Sequence, residues 1–188
     1  ELQTVALEDI DAGAEGQGDR GLARLSLVEG DATLLMTRWM VTHLSPAELQ
    51  EILVVDRETQ AQYDALPAIL RETLMFPYQQ GIVLALAAWT KGGWAAVDAM
   101  YDRQPASTEQ VLHPEKYASS EDPVDVAIPD DLPTRLGTGW TMPLQDTFGE
   151  FHLQVWLRGP TGVPSAGTAT AAAGWGGDRV VLLDGPNG

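Results

Sequence analysis

From Arg20 to Leu44 apolar side chains recur three and four residues apart, at Leu22, Leu25, Ala32, Met36 and Trp39. That spacing commits the opening of the chain to one long helix, with Asp19 placed as its N-cap. Leu27, Val28, Leu34, Leu35 and Met40 occupy the other faces, so the helix is expected to be buried on most sides. Glu29 breaks the pattern. It follows Leu25 by four residues and precedes Ala32 by three, which puts a carboxylate on the apolar stripe. A charge there costs several kcal/mol unless it is paired, hydrogen-bonded, protonated or bound to metal. Gly30 comes next, and a glycine inside a helix costs roughly 1 kcal/mol relative to alanine, so a close neighbour is expected beside it. By spacing alone, an ion pair with one of the nine Arg residues or an exposed edge of the stripe is the plainer account of Glu29. A metal ligand or catalytic acid is the sharper one.

Downstream punctuation divides the rest. Ser45-Pro46 with Glu48 opens a helix to about Val55, and a third helix is expected over Glu58–Leu74, bent at Pro67. Phe76-Pro77 restarts the chain, Tyr78–Lys91 reads as a buried helix ended by Gly92-Gly93, and Trp94–Tyr101 as a short one. Ser107-Thr108-Glu109-Gln110 opens a helix that Pro114 stops near His113. Val124, Val126 and Ile128 alternate as a short strand, Leu144–Arg158 reads as helix, Thr168–Ala173 is Ala-rich, and Arg179–Leu183 closes as a strand. The fold class is therefore mostly α with a small β element (α+β). Residues 1–18 form a loop-rich lead-in, and residues 19–188 form one mainly helical domain with short strands near 123–128 and 179–183.

The charge excludes whole classes of partner. The chain carries 27 acidic against 11 basic side chains, a net charge of -16, which repels phosphate backbones and anionic lipid, so nucleic acid is not an expected partner. With no Cys there can be no disulfide, thiolate metal site or thiol nucleophile. No apolar run reaches the ~20 residues of a membrane span. The chain begins at Glu1 without Met or a signal-like segment, so a piece of a longer protein is expected.

Few motifs carry chemistry alone. His43, His113 and His152 make no helical pair with one another or with Glu, and neither H-E-x-x-H nor G-x-S-x-G occurs. Gly174-Trp-Gly-Gly-Asp178 precedes a strand and lacks the Lys of a phosphate loop; it reads as a tight turn with Trp175 folded onto the core. Trp94, Trp140 and Trp175 each follow Gly and are candidates for a binding surface.

Six phrases taken together resemble a family of uncharacterised bacterial and archaeal proteins similar to zinc metallopeptidases of the glutamate-zincin type. They are Ser26-Leu-Val-Glu-Gly-Asp-Ala-Thr33, Phe76-Pro-Tyr-Gln-Gln-Gly81, Gly92-Gly-Trp-Ala-Ala-Val-Asp98, Ser107-Thr-Glu-Gln-Val-Leu-His-Pro-Glu-Lys-Tyr117, Thr147-Phe-Gly-Glu150 and Ala171-Ala-Ala-Gly-Trp-Gly-Gly-Asp-Arg179. The resemblance implies the C-terminal part of a zincin-like fold, in which an upstream H-E-x-x-H helix supplies two His ligands and the base. A later Glu supplies the third ligand, and Glu29 matches that position. It further implies zinc in the intact parent with none bound to this piece, a peptide or protein substrate, and a secreted or envelope-anchored location. Asp31, His113, Lys116, Glu150, Trp175, Asp178 and Arg179 are implied as cleft-lining residues or as supports around the metal; a structural role, as a salt-bridge partner or, for Lys116, as the complement of a helix C-terminus, is the plainer account of Lys116, Glu150, Asp178 and Arg179. Lacking H-E-x-x-H, the chain is expected to be inert alone, and an open groove left by the missing flank could favour self-association. The alternative is a non-catalytic module that recognises a polymer or protein partner through the Trp-Gly turns.

Overall fold

The computed structural model describes residues 18–52, 57–159 and 166–186. Most of the lead-in expected over residues 1–18, and the end of the second expected helix, lie outside them. The chain is mostly helical with one two-stranded antiparallel sheet. In order come α1 (Gly18–His43), α2 (Pro46–Ile52), α3 (Arg57–Asp64), α4 (Ala68–Asp98), α5 (Thr108–Leu112) and α6 (Pro114–Ser119). They are followed by α7 (Leu132–Leu136), β1 (Thr141–Asp146), α8 (Gly149–Leu157), α9 (Ala166–Ala172) and β2 (Val180–Asp184). Among the described residues no helix is long and apolar enough to cross a membrane.

The core forms where α1, α4, α5 and α8 meet. Leu22, Ala23 and Leu27 of α1 pack against Phe76 and Leu84 of α4, Met100, Val111 of α5, and Phe151 and Val155 of α8. Phe76 and Phe151 sit with ring centroids 4.2 Å apart. Each such side chain contributes about 1.5–3 kcal/mol by leaving water. The helices α1 and α4 touch backbone to backbone where Gly30 meets Gly81, and a Cβ on either would run into the other's main chain. That contact is the close neighbour Gly30 called for.

The face of α1 that carries this core differs from the expected stripe. Ala23, Ser26, Leu27, Gly30 and Leu34 are buried, whereas Ala32, Met36 (53% exposed) and Trp39 (54%) face outward. Apolar residues occur on several faces of α1, so periodicity alone could not say which face α4 would cover. The second half of the helix is largely exposed rather than buried on most sides.

Further corrections concern element types. The break expected at Pro77 falls instead at Pro67, and α4 runs through Pro77. Pro77 forfeits one helix hydrogen bond, yet its neighbours Phe76, Gly81, Leu84 and Ala85 are buried, and that packing holds the helix together. Gly92 and Gly93 do depart from helical angles, Gly93 at φ 65°, and kink α4 before its last turns. No strand forms over 123–128: Val124 N–H makes one bond, to the Gly176 carbonyl at 2.7 Å, and its side chain is exposed. Pro123 lacks an N–H and no ladder partner runs alongside, so alternation there had no sheet to join. Leu144–Arg158 is not one helix either. Its first residues belong to β1, paired Leu144 to Leu182 and Asp146 to Val180, and α8 starts at Gly149, whose φ of 77° suits glycine. The α5 helix, N-capped by Ser107 and stopped at His113, and the closing strand are as expected, with α6 starting at Pro114 itself.

Candidate functional site

Along one side of α1 the positions Gly18, Leu22 and Leu25, spaced by four and three, line an open groove of about 590 Å³. Leu74, Pro77 and Tyr78 of α4 form a second wall, and Leu144 with Val180 of the sheet a third. Phe148 and His152 line it as well. The His152 imidazole donates from Nδ1 to the Phe148 carbonyl at 3.0 Å, and its Nε2 lies 3.3 Å from the Thr73 hydroxyl. Burial pushes its pKa down, which keeps it neutral. Glu29 continues the same stripe, one turn beyond Leu25, and is half-buried. It neighbours Tyr78, whose phenol is pushed up chiefly by the Glu29 charge and then by burial and their hydrogen bond. Tyr78 is a residue that sequence spacing did not single out.

The remaining candidates fall into separate groups. Asp31 lies on another side of α1 and accepts the Tyr101 hydroxyl at 2.9 Å. This pairing and burial push the Tyr101 phenol well above its ordinary range, burial being the larger cause. His113, Lys116 and Glu150 come together where α5, α6 and α8 meet. Glu150 is fully buried; its Oε1 accepts from His113 Nε2 at 3.0 Å and from Gln154 Nε2 at 3.0 Å, while Oε2 is buried without a partner. Burial pushes the Glu150 carboxyl up. Lys116 Nζ donates to the buried Glu109 at 2.6 Å and bridges to Glu121 at 3.0 Å, and these hydrogen bonds, Glu109 first, raise its pKa.

Asp178, Trp175 and Arg179 belong to a third group, in which three helix N-termini converge. Each N-terminus is met by a carboxylate from another element. Asp146 accepts from Gly18 N at 2.8 Å at the start of α1, and Asp178 accepts from Phe148 N at 2.7 Å and Gly149 N at 3.0 Å before α8. Asp19 accepts from Thr108 N at 3.2 Å and from its hydroxyl at 2.5 Å at the start of α5. Asp19 is thus a correction: it caps α5, 89 residues away in sequence, not its own helix. The exposed N–H groups and helix dipoles explain why three acids gather there. Trp175 is buried and donates from Nε1 to Asp178 Oδ2 at 2.6 Å, as its expected inward fold requires. Arg179 lies 3.9 Å from Asp125 and, with Arg20, Asp19 and Asp178, lines a polar pocket of about 200 Å³. Of the other turn tryptophans, Trp94 is partly exposed and the Trp140 ring lies against Gly185.

No protein-family model, curated protein or solved structure matches this chain. Among the described residues no group of three or more His, Asp or Glu side chains stands ready to hold a metal ion. The residues implied as one site are divided: Glu29 stands beside Tyr78 of α4, His113, Lys116 and Glu150 are at the α5–α6–α8 junction, and Trp175, Asp178 and Arg179 are at the N-terminal junction. Asp19, Asp146, Thr108 and Glu109 were missed as site residues. Their sequence signal is an acid or hydroxyl at a helix start, which reads equally well as local capping.

Proposed function

We infer that this chain carries one metal-ligating carboxylate and part of the substrate cleft of a zinc-dependent, metallopeptidase-like protein. The observation that carries this reading is the position of Glu29, half-buried one turn beyond Leu25 and beside Tyr78, which lines the groove, rather than sealed in the core. The zincin resemblance supports the same assignment. The described residues fit zinc only as one ligand of a set; two imidazoles and a base would come from an H-E-x-x-H helix elsewhere in the longer protein. Zinc bound there would polarise a peptide carbonyl and activate water. This chain's own part is to present the Glu29 carboxylate, steadied by the Tyr78 hydroxyl, and to wall the groove with apolar side chains. A secreted or envelope-anchored setting belongs to the same proposal.

The test is metal analysis of the full gene product and of its Glu29→Gln variant. One zinc per chain is expected, held at least tenfold more weakly in the variant, with unchanged circular dichroism. A metal-free protein, or a variant that keeps its zinc affinity, overturns the reading.

A second reading, a non-catalytic interaction module, is favoured by the open groove. Since Trp175 is buried, the surface of such a module is the groove rather than the Trp-Gly turns.

A further inference from the structure

The kink in α4 leaves a hollow. Gly92 and Gly93 turn the helix, and side chains from both sides of the turn line one open cavity of about 310 Å³, with α6 as a further wall. Leu84 and Met100, both buried and part of the core, line it. Ala87 and Ala88 precede the kink, Ala96 and Ala99 follow it, and Ala118 of α6 faces the same space. Each of these alanines ends at Cβ, so none reaches across, whereas folded interiors leave few voids larger than one water.

The charge around the hollow runs against the rest of the chain. Lys91 and Arg103 line the cavity, and no Asp or Glu does. The protein has only 11 basic side chains against 27 acidic ones, yet among the described residues neither of these two bases lies within ion-pair distance of a carboxylate. Neutral groups hold Arg103 instead. Its Nη1 donates to Ser120 Oγ at 3.0 Å and its Nη2 to the Tyr117 carbonyl at 2.7 Å, and the guanidinium lies 4.1 Å from the centroid of the Tyr117 ring. The Tyr117 phenol donates to the Arg103 carbonyl at 2.8 Å, and burial raises its pKa, so it adds no negative charge. A guanidinium has five N–H donors, which leaves three of them for a further acceptor.

These two sets of groups ask for a ligand with two parts. A cation fixed in place but unmatched in charge is preorganised for a carboxylate. The net charge of -16 repels anions in general, so an apolar body has to contribute the rest of the affinity by leaving water against the leucine, methionine and alanine surface. The volume is at the low end of the roughly 300–1,000 Å³ typical of small-molecule sites.

We propose that the cavity at the α4 kink binds a small organic carboxylate with an apolar body. Its carboxylate sits between Lys91 and Arg103, and its hydrocarbon part lies over Leu84, Met100 and the alanines. Glu29 does not line this cavity, so the site is separate from the zinc reading.

The probe is 4-phenylbutyrate, titrated by calorimetry onto the full chain at neutral pH with a chelator present. One site per chain is expected. 4-Phenylbutanol, which lacks the charge, and butyrate, which lacks the ring, should each bind at least tenfold more weakly, and added salt should weaken phenylbutyrate binding. Lys91→Glu should weaken it at least tenfold. Ala87→Leu, which fills the hollow with a good helix former, should do so by a similar factor. Arg135→Glu alters an exposed base outside the cavity, paired with Asp131, and should leave binding unchanged. Absence of binding overturns the proposal, as does equal binding of the alcohol or of butyrate. Equal effects of Lys91→Glu and Arg135→Glu would also overturn it, since attraction to the surface at large would then be the cause. Undiminished affinity in Ala87→Leu, with unchanged circular dichroism, would place the ligand elsewhere and sink it too.

Discussion

Replacing Asp19 by asparagine should abolish the pH dependence that this one carboxyl imposes on folding. Asp19 is 2% exposed, and its pKa is raised from 3.8 to about 7, chiefly by burial, with Asp178 and Asp146 adding to the rise and the Thr108 bonds opposing it. The folded state keeps the Asp19 proton in a range where the unfolded chain has lost it. Stability from this group is therefore fully present below the unfolded pKa and is lost as pH rises through about 7. A rise of roughly three units, at about 1.4 kcal/mol per unit, corresponds to on the order of 4 kcal/mol between acid and mildly alkaline solution. Asparagine keeps an oxygen that accepts from Thr108 N and Oγ1 but never ionises. Its stability should stay flat over that window apart from what other groups contribute. The assay is urea denaturation of both proteins from pH 4 to pH 8, plotted as the difference between them. The two should agree to within about 1 kcal/mol at pH 4, with the variant the more stable by a few kcal/mol at pH 8. A difference that does not change with pH, or one that grows toward acid, would refute the account of the three-helix junction as a costly burial of charge.

Two further outcomes follow from the packing. Gly30→Ala should destabilise the fold by about 1–3 kcal/mol in denaturant or thermal melts, because the new Cβ meets the Gly81 backbone; helix propensity alone predicts a gain of roughly 1 kcal/mol, so the sign decides between them. His113→Ala should cost about 2–3 kcal/mol, since buried Glu150 loses a donor while its Oε2 already lacks one. Burial raises the Glu150 pKa and His113 opposes that rise, so the loss should be larger at pH 8 than at pH 4, measured by the same denaturation.

Much of the helical outline was legible because the residues responsible act on their own neighbours. Ser107 accepts from the Gln110 N–H, Pro114 ends α5, and Gly93 takes a positive φ at the kink in α4; each is local chemistry that a sequence displays. Glu29 was legible as an oddity for the same reason, since its spacing from Leu25 is a property of one helix. Its surroundings were not. That Tyr78 stands beside it depends on where α4 crosses α1. The Gly30–Gly81 contact decides that crossing.

The β elements were the least legible. Val124, Val126 and Ile128 alternate, yet no strand lies beside them, whereas Thr141–Asp146 carries Pro143 and still pairs with Val180–Asp184 across an irregular register. A strand exists only with its partner, and alternation does not name the partner.

The sequence by itself determined some helix ends, such as those of α5 at Ser107 and Pro114, that the chain is acidic and free of Cys, and that a carboxylate interrupts an apolar stripe. These follow from torsion preferences, capping and charge, which act over a few residues or none. Only the tertiary structure decided which face of α1 is core, which residues form the sheet, and that Asp19, Asp146 and Asp178 each meet the N-terminus of a helix distant in sequence. Those outcomes depend on contacts between distant segments, where several apolar faces and several acids compete for the same partners and packing selects among them.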